Sequence, residues 1–139
     1  SGRGGWADPH NGGKYSVTSS SSTELQTQRA TNPAKSVGHK IYMDKQVFTF
    51  SDKGDSSCQI DGCSKSQSFS VADFSTNYCD MRNLFCGSAD GCKSVLKDFT
   101  STESSVKPSI GASHDFSACI VKAQSSSVAA EHLDGTIHA

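Results

Sequence analysis

The sequence is poor in the residues that build a large apolar core. Val, Ile, Leu and Phe together number 24 of 139 residues, about 17%, and there is a single Trp. A share below roughly 20% is typical of disorder only when the net charge is also high, and here the net charge is -1. Four Leu stand against thirteen Val plus Ile, and Ser and Thr supply 35 residues, which favours strands and turns over helices.

The sequence also lacks a long apolar run and an excess of one charge. A membrane helix needs roughly 18 to 20 apolar residues in succession, and no stretch of this chain comes close. Thirteen basic residues stand against fourteen acidic residues, with no basic run, so the charge pattern of a nucleic-acid-binding surface is missing. We expect neither a membrane span nor a nucleic-acid partner.

Cysteine, in contrast, is abundant, with six residues in a chain that has little apolar core. An even number of cysteines in such a chain predicts disulfides and a secreted, extracellular protein. A start at Ser1 without an apolar leader is expected of a secreted chain after removal of its signal peptide. Zinc is the competing interpretation, but the close cysteine pairs are separated by four and five residues, unlike the short Cys-x2-Cys spacing of zinc sites. Six cysteines allow fifteen pairings. From proximity we predict Cys58–Cys63 and Cys86–Cys92, which leaves Cys79–Cys119 as the third pair.

The chain divides into three segments by composition. Residues 1–13 carry five Gly and one Pro and form a predicted extended arm. Residues 14–124 form the single disulfide-stapled β domain, and residues 125–139 form a polar tail. For the domain we predict a mainly β fold, an antiparallel sandwich or rolled sheet of six to eight short strands with one short helix near residues 76–86.

Alternating patterns place the first strands. The stretch "KYSVTSSSSTELQTQRAT" predicts two strands joined by a turn at the Ser run, and "KIYMDKQVFTFS" is the clearest strand. In that strand Tyr42, Phe48 and Phe50 share one face, and Val47 and Thr49 lie on the other. The Asp and Gly of "SDKGDSS" predict a hairpin loop before a partner strand that begins "CQIDGC".

The region that follows has a helical pattern. The stretch "STNYCDMRNLFCG" offers Ser75 and Thr76 as N-cap candidates, has no β-branched residue from Asn77 to Cys86, and ends at Gly87, a natural C-cap. It therefore predicts the short helix over residues 76–86. The later stretches "KSVLKDFTSTESSVKP" and "SACIVKAQ" are predicted strands.

Two His–Asp pairs are the best catalytic candidates. His10 lies near Asp8 in "ADPHNGG", and His114 precedes Asp115 in "GASHDFSAC". A histidine that is oriented by a carboxylate can act as a general base. Neither stretch contains a nucleophile motif, and Gly-x-Ser-x-Gly is absent. The sequence leaves enzymatic activity open and favours a non-enzymatic function.

No pattern indicates a metal or a cofactor. The five histidines are scattered without a His-x3-His pair, and "SDKGD" lacks the alternating oxygen ligands and the terminal Glu of a calcium-binding hand loop. A hairpin turn is the simpler interpretation of that stretch. We predict that the protein uses neither a metal nor a cofactor.

Aromatic residues near the N-terminus indicate where a partner binds. Trp6 either fills the domain's own core or anchors the extended arm in a neighbouring subunit. We predict Trp6 and Tyr15 as interface residues of a homo-oligomer or polymer. The Ser and Thr clusters are also suitable acceptors for O-linked glycans, whereas no asparagine sequon is present.

Three functions remain open. The preferred hypothesis is a secreted, non-enzymatic structural or assembly subunit of an extracellular coat, matrix or filament, which associates through β-strand contacts and its terminal arm. It predicts that removing residues 1–13 abolishes self-association. The first alternative is a secreted binding module for a carbohydrate, lipid or protein. The second is a small secreted hydrolase, in which His10→Ala or His114→Ala would remove the activity.

Overall fold

Four consecutive strands form one antiparallel sheet. The structure, a computed structural model, describes residues 12–69, 75–90, 95–112 and 116–119. The strands lie in the order β1-β2-β3-β4, so each pairs with its neighbour in sequence. The mainly β prediction is confirmed, but the described residues contain four strands and not the predicted six to eight. Their bounds are Lys14–Ser20 for β1, Glu24–Ala30 for β2, Met43–Gly54 for β3 and Ser57–Ser66 for β4.

Alternation of buried and exposed residues from Asp44 to Thr49 of β3 gives the sheet two distinct faces, as its sequence predicted. One face is covered by a helix, and we call it the inner face. It carries the buried side chains of Thr27, Arg29, Asp44, Gln46 and Phe48. The opposite face, the outer face, carries the exposed side chains of Lys45, Val47, Thr49, Asp61, Cys63 and Lys65.

Both hairpin turns form where the sequence predicted them. Between β1 and β2, the Ser21 hydroxyl oxygen accepts hydrogen bonds from the backbone N–H groups of Thr23 (3.3 Å) and Glu24 (3.0 Å). Between β3 and β4, Asp55 and Ser56 have positive φ angles of 51° and 61°, as the mirror-image turns of tight hairpins require. These turns help to fix the registers of the two hairpins.

The connection between β2 and β3 is longer and is closed by hydrogen bonds at its ends. It contains two short 3-10 helices, Pro33–Lys35 and Val37–His39. The Thr31 N–H donates to the Tyr42 carbonyl oxygen (3.0 Å), and the Tyr42 N–H donates to the Thr31 hydroxyl (2.9 Å). The Tyr42 hydroxyl donates to the Val37 carbonyl (3.2 Å), so Tyr42 closes this connection and does not belong to the core beside Phe48.

Helix α1 (Thr76–Arg82) covers the inner face and is shorter than predicted. It begins after Ser75, which has a left-handed φ of 64° and makes no side-chain cap hydrogen bond. Beyond the helix, the N–H groups of Leu84 and Phe85 bond to carbonyl groups three residues back, the spacing of a tighter 3-10 turn. The predicted end at residue 86 is therefore four residues too late.

Gly62 of β4 allows α1 to approach the sheet closely. A Cβ atom added at Gly62 would lie 3.1 Å from Met81 Sδ and 3.2 Å from the Phe48 ring, closer than ordinary van der Waals contact. Beside this contact, the Ser64 hydroxyl donates to Asn77 Oδ1 at 2.8 Å. A larger residue at position 62 would push the helix away from the sheet.

One disulfide joins two described residues. Cys79 of α1 is bonded to Cys119, which ends a short 3-10 helix, and their Cα atoms lie 5.1 Å apart. This pairing was predicted from the sequence and is confirmed. The two cysteines and Tyr78 form a small buried cluster, against which Val106 packs.

The predicted Cys58–Cys63 disulfide is wrong, because both residues are exposed free thiols. They lie five residues apart in the continuous strand β4, so their side chains point to opposite faces and their Cα atoms are roughly 16 Å apart. A disulfide needs a Cα separation of about 4.4–6.8 Å. Cys86 is itself disulfide-bonded, and Cys92, its predicted partner, lies outside the described residues.

The predicted strands after α1 are not found where the structure describes them. Residues 95–109 form no strand, and most of their side chains are exposed, so the alternation that a half-buried strand requires is missing. The second predicted strand begins within the 3-10 helix Phe116–Cys119, and the rest of it lies outside the described residues.

Side-chain contacts hold this irregular segment in place. The Tyr78 hydroxyl donates to Glu103 Oε2 (3.0 Å), and Arg82 Nε lies 3.5 Å from Glu103 Oε1. Further along, the Ser88 hydroxyl and the Ser88 N–H both donate to the Asp98 carboxylate. These two hydrogen bonds hold the pKa of Asp98 below its ordinary value.

Candidate functional site

The predicted catalytic residues lie outside the part of the chain that the structure describes. His10 and Asp8 precede residue 12, and His114 and Asp115 fall between residues 112 and 116. The same holds for Trp6, the predicted anchor of the arm. Their proposed roles therefore stay predictions.

The structure describes one of the five histidines, His39. Its side chain is exposed, and its Nδ1 lies 3.2 Å from the Pro33 carbonyl oxygen. Over residues 12–69, 75–90, 95–112 and 116–119, no three His, Cys, Asp or Glu side chains lie close enough together to hold a metal ion.

A buried ion network joins the inner face of the sheet to α1. Arg29 and Asp44 are directly paired residues of β2 and β3, and Asp80 comes from the helix. Arg29 is 0% exposed, with Nη1 2.9 Å from Asp44 Oδ2 and Nε 3.1 Å from Asp80 Oδ1. The Ser66 hydroxyl donates to the other oxygen of Asp44. One guanidinium group thus bridges the two layers of the fold.

Neutral polar side chains complete this network. Gln46 Nε2 lies 3.4 Å from Asp80 Oδ2, and Gln46 Oε1 accepts a hydrogen bond from the Thr27 hydroxyl at 2.8 Å. The Tyr15 hydroxyl donates to Asp80 Oδ1 at 3.3 Å. Tyr15 is buried within the subunit, and its predicted role as an interface residue stays a prediction.

The buried network orients α1 and offers no accessible site for a substrate. Burying charges is costly unless they are paired and hydrogen-bonded, and here a cation is shared by two carboxylates. The apolar periodicity that places the strands does not reveal this network, although the sequence contains a signal for it. Asp44 and Gln46 share the even numbering of Phe48, and Arg29 shares the odd numbering of Leu25, so each lies on the buried side of its strand.

The edge of β4 that does not pair with β3 is exposed, and hydrogen bonding shows which backbone groups this edge presents. The Gln67 N–H donates to the Met43 carbonyl (2.8 Å) in the β3–β4 register, whereas the Phe50 N–H donates to the Thr23 carbonyl (2.9 Å) at the start of β2. Bonded and unbonded pairs alternate along antiparallel strands, so odd-numbered residues of β4 bond to β3. The even-numbered residues point their N–H and C=O groups away from the sheet: Cys58, Ile60, Gly62, Ser64 and Ser66.

The two edges of the sheet differ in how they are protected. The first strand, β1, has a register shift between Val17 and Ser19, and such a bulge discourages pairing with a further strand. Strand β4 runs without a bulge or a proline from Cys58 to Ser66 and is exposed along most of its length. Among the described residues, no strand pairs with its outer side.

Three side chains of β4 give this edge a distinct chemistry. Asp61, Cys63 and Lys65 follow one another on the outer face, and all three are exposed. An anion, a thiol and a cation are therefore evenly spaced along the edge. Lys65 lies directly opposite Lys45 of β3, and neither lysine forms an ion pair with a described residue.

No known protein family, curated protein or solved structure matches this chain. Over the residues that the structure describes, the fold is a four-stranded antiparallel sheet with a helix on one face and with no further strand paired to the edge of β4. The described residues include no helix that has the length and apolar character needed to cross a membrane.

Proposed function

We propose that this protein is a secreted, non-enzymatic assembly subunit of extracellular material, and that it binds a partner chain by strand addition to β4. The observation that carries the proposal is the exposed, ten-residue edge strand with its outward-facing backbone groups. An extended segment that pairs with such an edge forms main-chain hydrogen bonds along its length. This is how strand contacts build coats, matrices and filaments.

The covalent and ionic links made by α1 support this proposal. The Cys79–Cys119 disulfide is of the kind that persists in oxidising, extracellular compartments. This bond ties α1 to the 3-10 helix that ends at Cys119, and the Arg29 network separately fastens α1 to the sheet. A partner therefore meets an edge that is already formed, which lowers the entropic cost of binding.

The Gly-rich arm around Trp6 is proposed as a second contact, and O-linked glycans on the Ser and Thr clusters as a modification. Deleting residues 1–11 tests the arm and spares Gly12, which packs against Lys35. The deletion should weaken self-association and leave the sheet folded. A deletion variant that assembles as well as the full chain would remove the arm from the proposal.

Replacing Ile60 by Pro tests strand addition directly. The Ile60 N–H points away from β3, so Ile60→Pro removes one donor from the outer edge and leaves the β3–β4 hydrogen bonds intact. Ile60→Ala is the matched control, because it loses the same partly exposed side chain but keeps the N–H. We expect sedimentation velocity to show a concentration-dependent oligomer for the wild type and for Ile60→Ala, and a monomer for Ile60→Pro.

Two results would overturn the proposed function. One is a wild-type chain that stays monomeric at all accessible concentrations, and the other is an Ile60→Pro variant that associates as strongly as Ile60→Ala. Circular dichroism of the three proteins confirms that each retains the sheet.

A further inference from the structure

We infer that the strand added to β4 is the β4 strand of a second copy of this chain, antiparallel and related by a two-fold axis at Cys63. The inference rests on the proposed function and names the partner and the register. It joins the two four-stranded sheets into one continuous sheet of eight strands, with both helices on the same side.

Hydrogen bonding restricts the registers that two β4 strands can adopt. Residues directly opposite each other in an antiparallel pair either both bond across the pair or both point away from it. The outward-facing groups belong to the even-numbered residues of β4, so even-numbered residues must lie opposite even-numbered residues. A register offset by one residue would leave the new ladder without matched donors and acceptors.

Charge selects one of the allowed registers. Asp61 and Lys65 lie two residues before and two residues after Cys63. With Cys63 on the two-fold axis, each Asp61 lies opposite the Lys65 of the second copy, which gives two favourable cross-strand pairs. An axis at Asp61 or at Lys65 would place like charges opposite each other, and an axis at an intermediate residue would pair neither charge.

The like-charge pair within each subunit supports the same register. Lys45 and Lys65 are directly opposite on the outer face and have no described carboxylate partner, an arrangement that destabilises a sheet. In the inferred dimer, the Asp61 carboxylate of the second copy lies on the free side of Lys65. The dimer therefore supplies the anion that this row of the sheet lacks.

The same register brings two exposed thiols together. On the two-fold axis, the two Cys63 residues form a pair that is not hydrogen-bonded across the interface, for which the Cα separation is about 4.5 Å. This lies within the window of about 4.4–6.8 Å for disulfides. Cys63 is exposed and is not part of a disulfide within its own chain, so it is available for a bond between subunits.

A small-molecule disulfide such as oxidised glutathione supplies the oxidant for this bond. The thiolate of one Cys63 attacks the glutathione disulfide, forms a mixed disulfide and releases one glutathione thiolate. The Cys63 thiolate of the second copy then attacks the Cys63 sulfur of the mixed disulfide and releases the second glutathione. Two protein thiols are oxidised, one small disulfide is reduced, and the two thiol protons pass to the two glutathione thiolates.

Non-reducing electrophoresis after incubation with oxidised glutathione tests the position of the axis. Cys58, which is also a free exposed thiol on β4, provides the matched control. We expect the wild type and Cys58→Ser to form a covalent dimer, and Cys63→Ser to form none while it still dimerises non-covalently in sedimentation. A cross-link that persists in Cys63→Ser, or no cross-link where the non-covalent dimer is populated, would overturn the inference.

Charge reversal tests the register without using the thiols. Asp61→Lys and Lys65→Asp each place like charges opposite each other at two sites of the homodimer. Each should therefore raise the dissociation constant of the homodimer roughly tenfold. A mixture of these two variants should form a tight heterodimer, because both cross-strand pairs again have opposite charges. The double variant Asp61→Lys/Lys65→Asp should recover the wild-type homodimer.

The results separate a failure of the register from a failure of the proposed function. Suppose that Ile60→Pro abolishes association but the mixture of Asp61→Lys and Lys65→Asp forms no tight heterodimer. The edge is then used with another register or partner, and only the inference fails. If Ile60→Pro has no effect on association, strand addition itself fails.

Discussion

On the inner face of the sheet, Arg29 lies between Asp44 and Asp80 with no exposed surface, whereas on the outer face Lys45 lies in solvent directly opposite Lys65. Both faces are polar, so polarity alone does not show which one is buried. The difference lies in pairing, because every charge of the inner network has an opposite charge within hydrogen-bond distance. A chain with few apolar side chains has thus joined its two layers largely through ionic and hydrogen-bonded contacts.

The largest expected difference between the faces comes from removing the shared cation. Arg29→Met leaves Asp44 and Asp80 buried without their guanidinium partner and should lower the free energy of unfolding by about 3–5 kcal/mol. Lys45→Met, the matched control on the outer face, should change it by less than about 0.5 kcal/mol. Urea unfolding followed by circular dichroism measures both, and equal losses would contradict the distinction between the faces.

Removing the disulfide tests how much the link between α1 and the 3-10 helix at Cys119 stabilises the fold. Cys79→Ala/Cys119→Ala opens a loop with a sequence separation of 40 residues and should cost about 2–4 kcal/mol of stability. Cys58→Ala/Cys63→Ala removes two exposed free thiols and serves as the control, with an expected change below about 0.5 kcal/mol. If the two double variants unfold at the same urea concentration, the disulfide makes no net contribution to stability.

A smaller effect is expected where the helix and the sheet approach each other most closely. Gly62→Ala adds a methyl group 3.1 Å from Met81 Sδ and 3.2 Å from the Phe48 ring, and should destabilise the fold by about 1–2 kcal/mol. Met81→Ala opens space at the same contact, so the double variant should be more stable than the sum of the two single effects predicts. Strict additivity in a double-mutant cycle would show that Met81 is not the limiting contact.

The smallest effect on stability is expected at Asp98, an exposed carboxylate that belongs to neither face of the sheet. Its two hydrogen bonds from Ser88 hold its pKa below the ordinary value of 3.8. A depressed pKa means that the contribution to stability is present above the unfolded-state pKa and is lost as the pH falls through the folded-state pKa. Carboxyl NMR titration should show the Asp98 pKa rising towards its ordinary value in Ser88→Ala. An unchanged titration would assign the low pKa to another cause.

The sheet could be predicted from the sequence because its signals are local. Alternation in β3, the Ser run before β2 and the Asp–Gly stretch at the end of β3 each specify a strand or a turn within about ten residues. The prediction of α1 succeeded for the same reason, and only its end was misplaced. Helical spacing continues through Leu84 and Phe85, but the backbone tightens into a 3-10 turn there.

The features that the sequence did not predict correctly depend on contacts, or on the absence of contacts, between residues that are far apart in the chain or in space. Residues 95–109 have strand-like composition but pair with no strand, and composition does not reveal the absence of a partner. The Arg29 network joins residues from three elements, and only a prediction of which face each residue occupies could have assembled it. The predicted Cys58–Cys63 pairing is wrong because the two residues, although close in sequence, lie in one unbroken strand that holds them apart.

The sequential order of the four strands has a consequence for how the chain folds. Each strand pairs with its neighbour in sequence, so the sheet consists of local hairpins, and proteins rich in local contacts fold quickly. The Cys79–Cys119 bond, in contrast, spans 40 residues and requires a slow oxidation step. We therefore expect the sheet, including the exposed edge of β4, to form before the Cys79–Cys119 bond does. During that interval a newly made chain presents its β4 edge before it has the Cys79–Cys119 bond, so under the proposed function strand addition can begin before oxidation is complete.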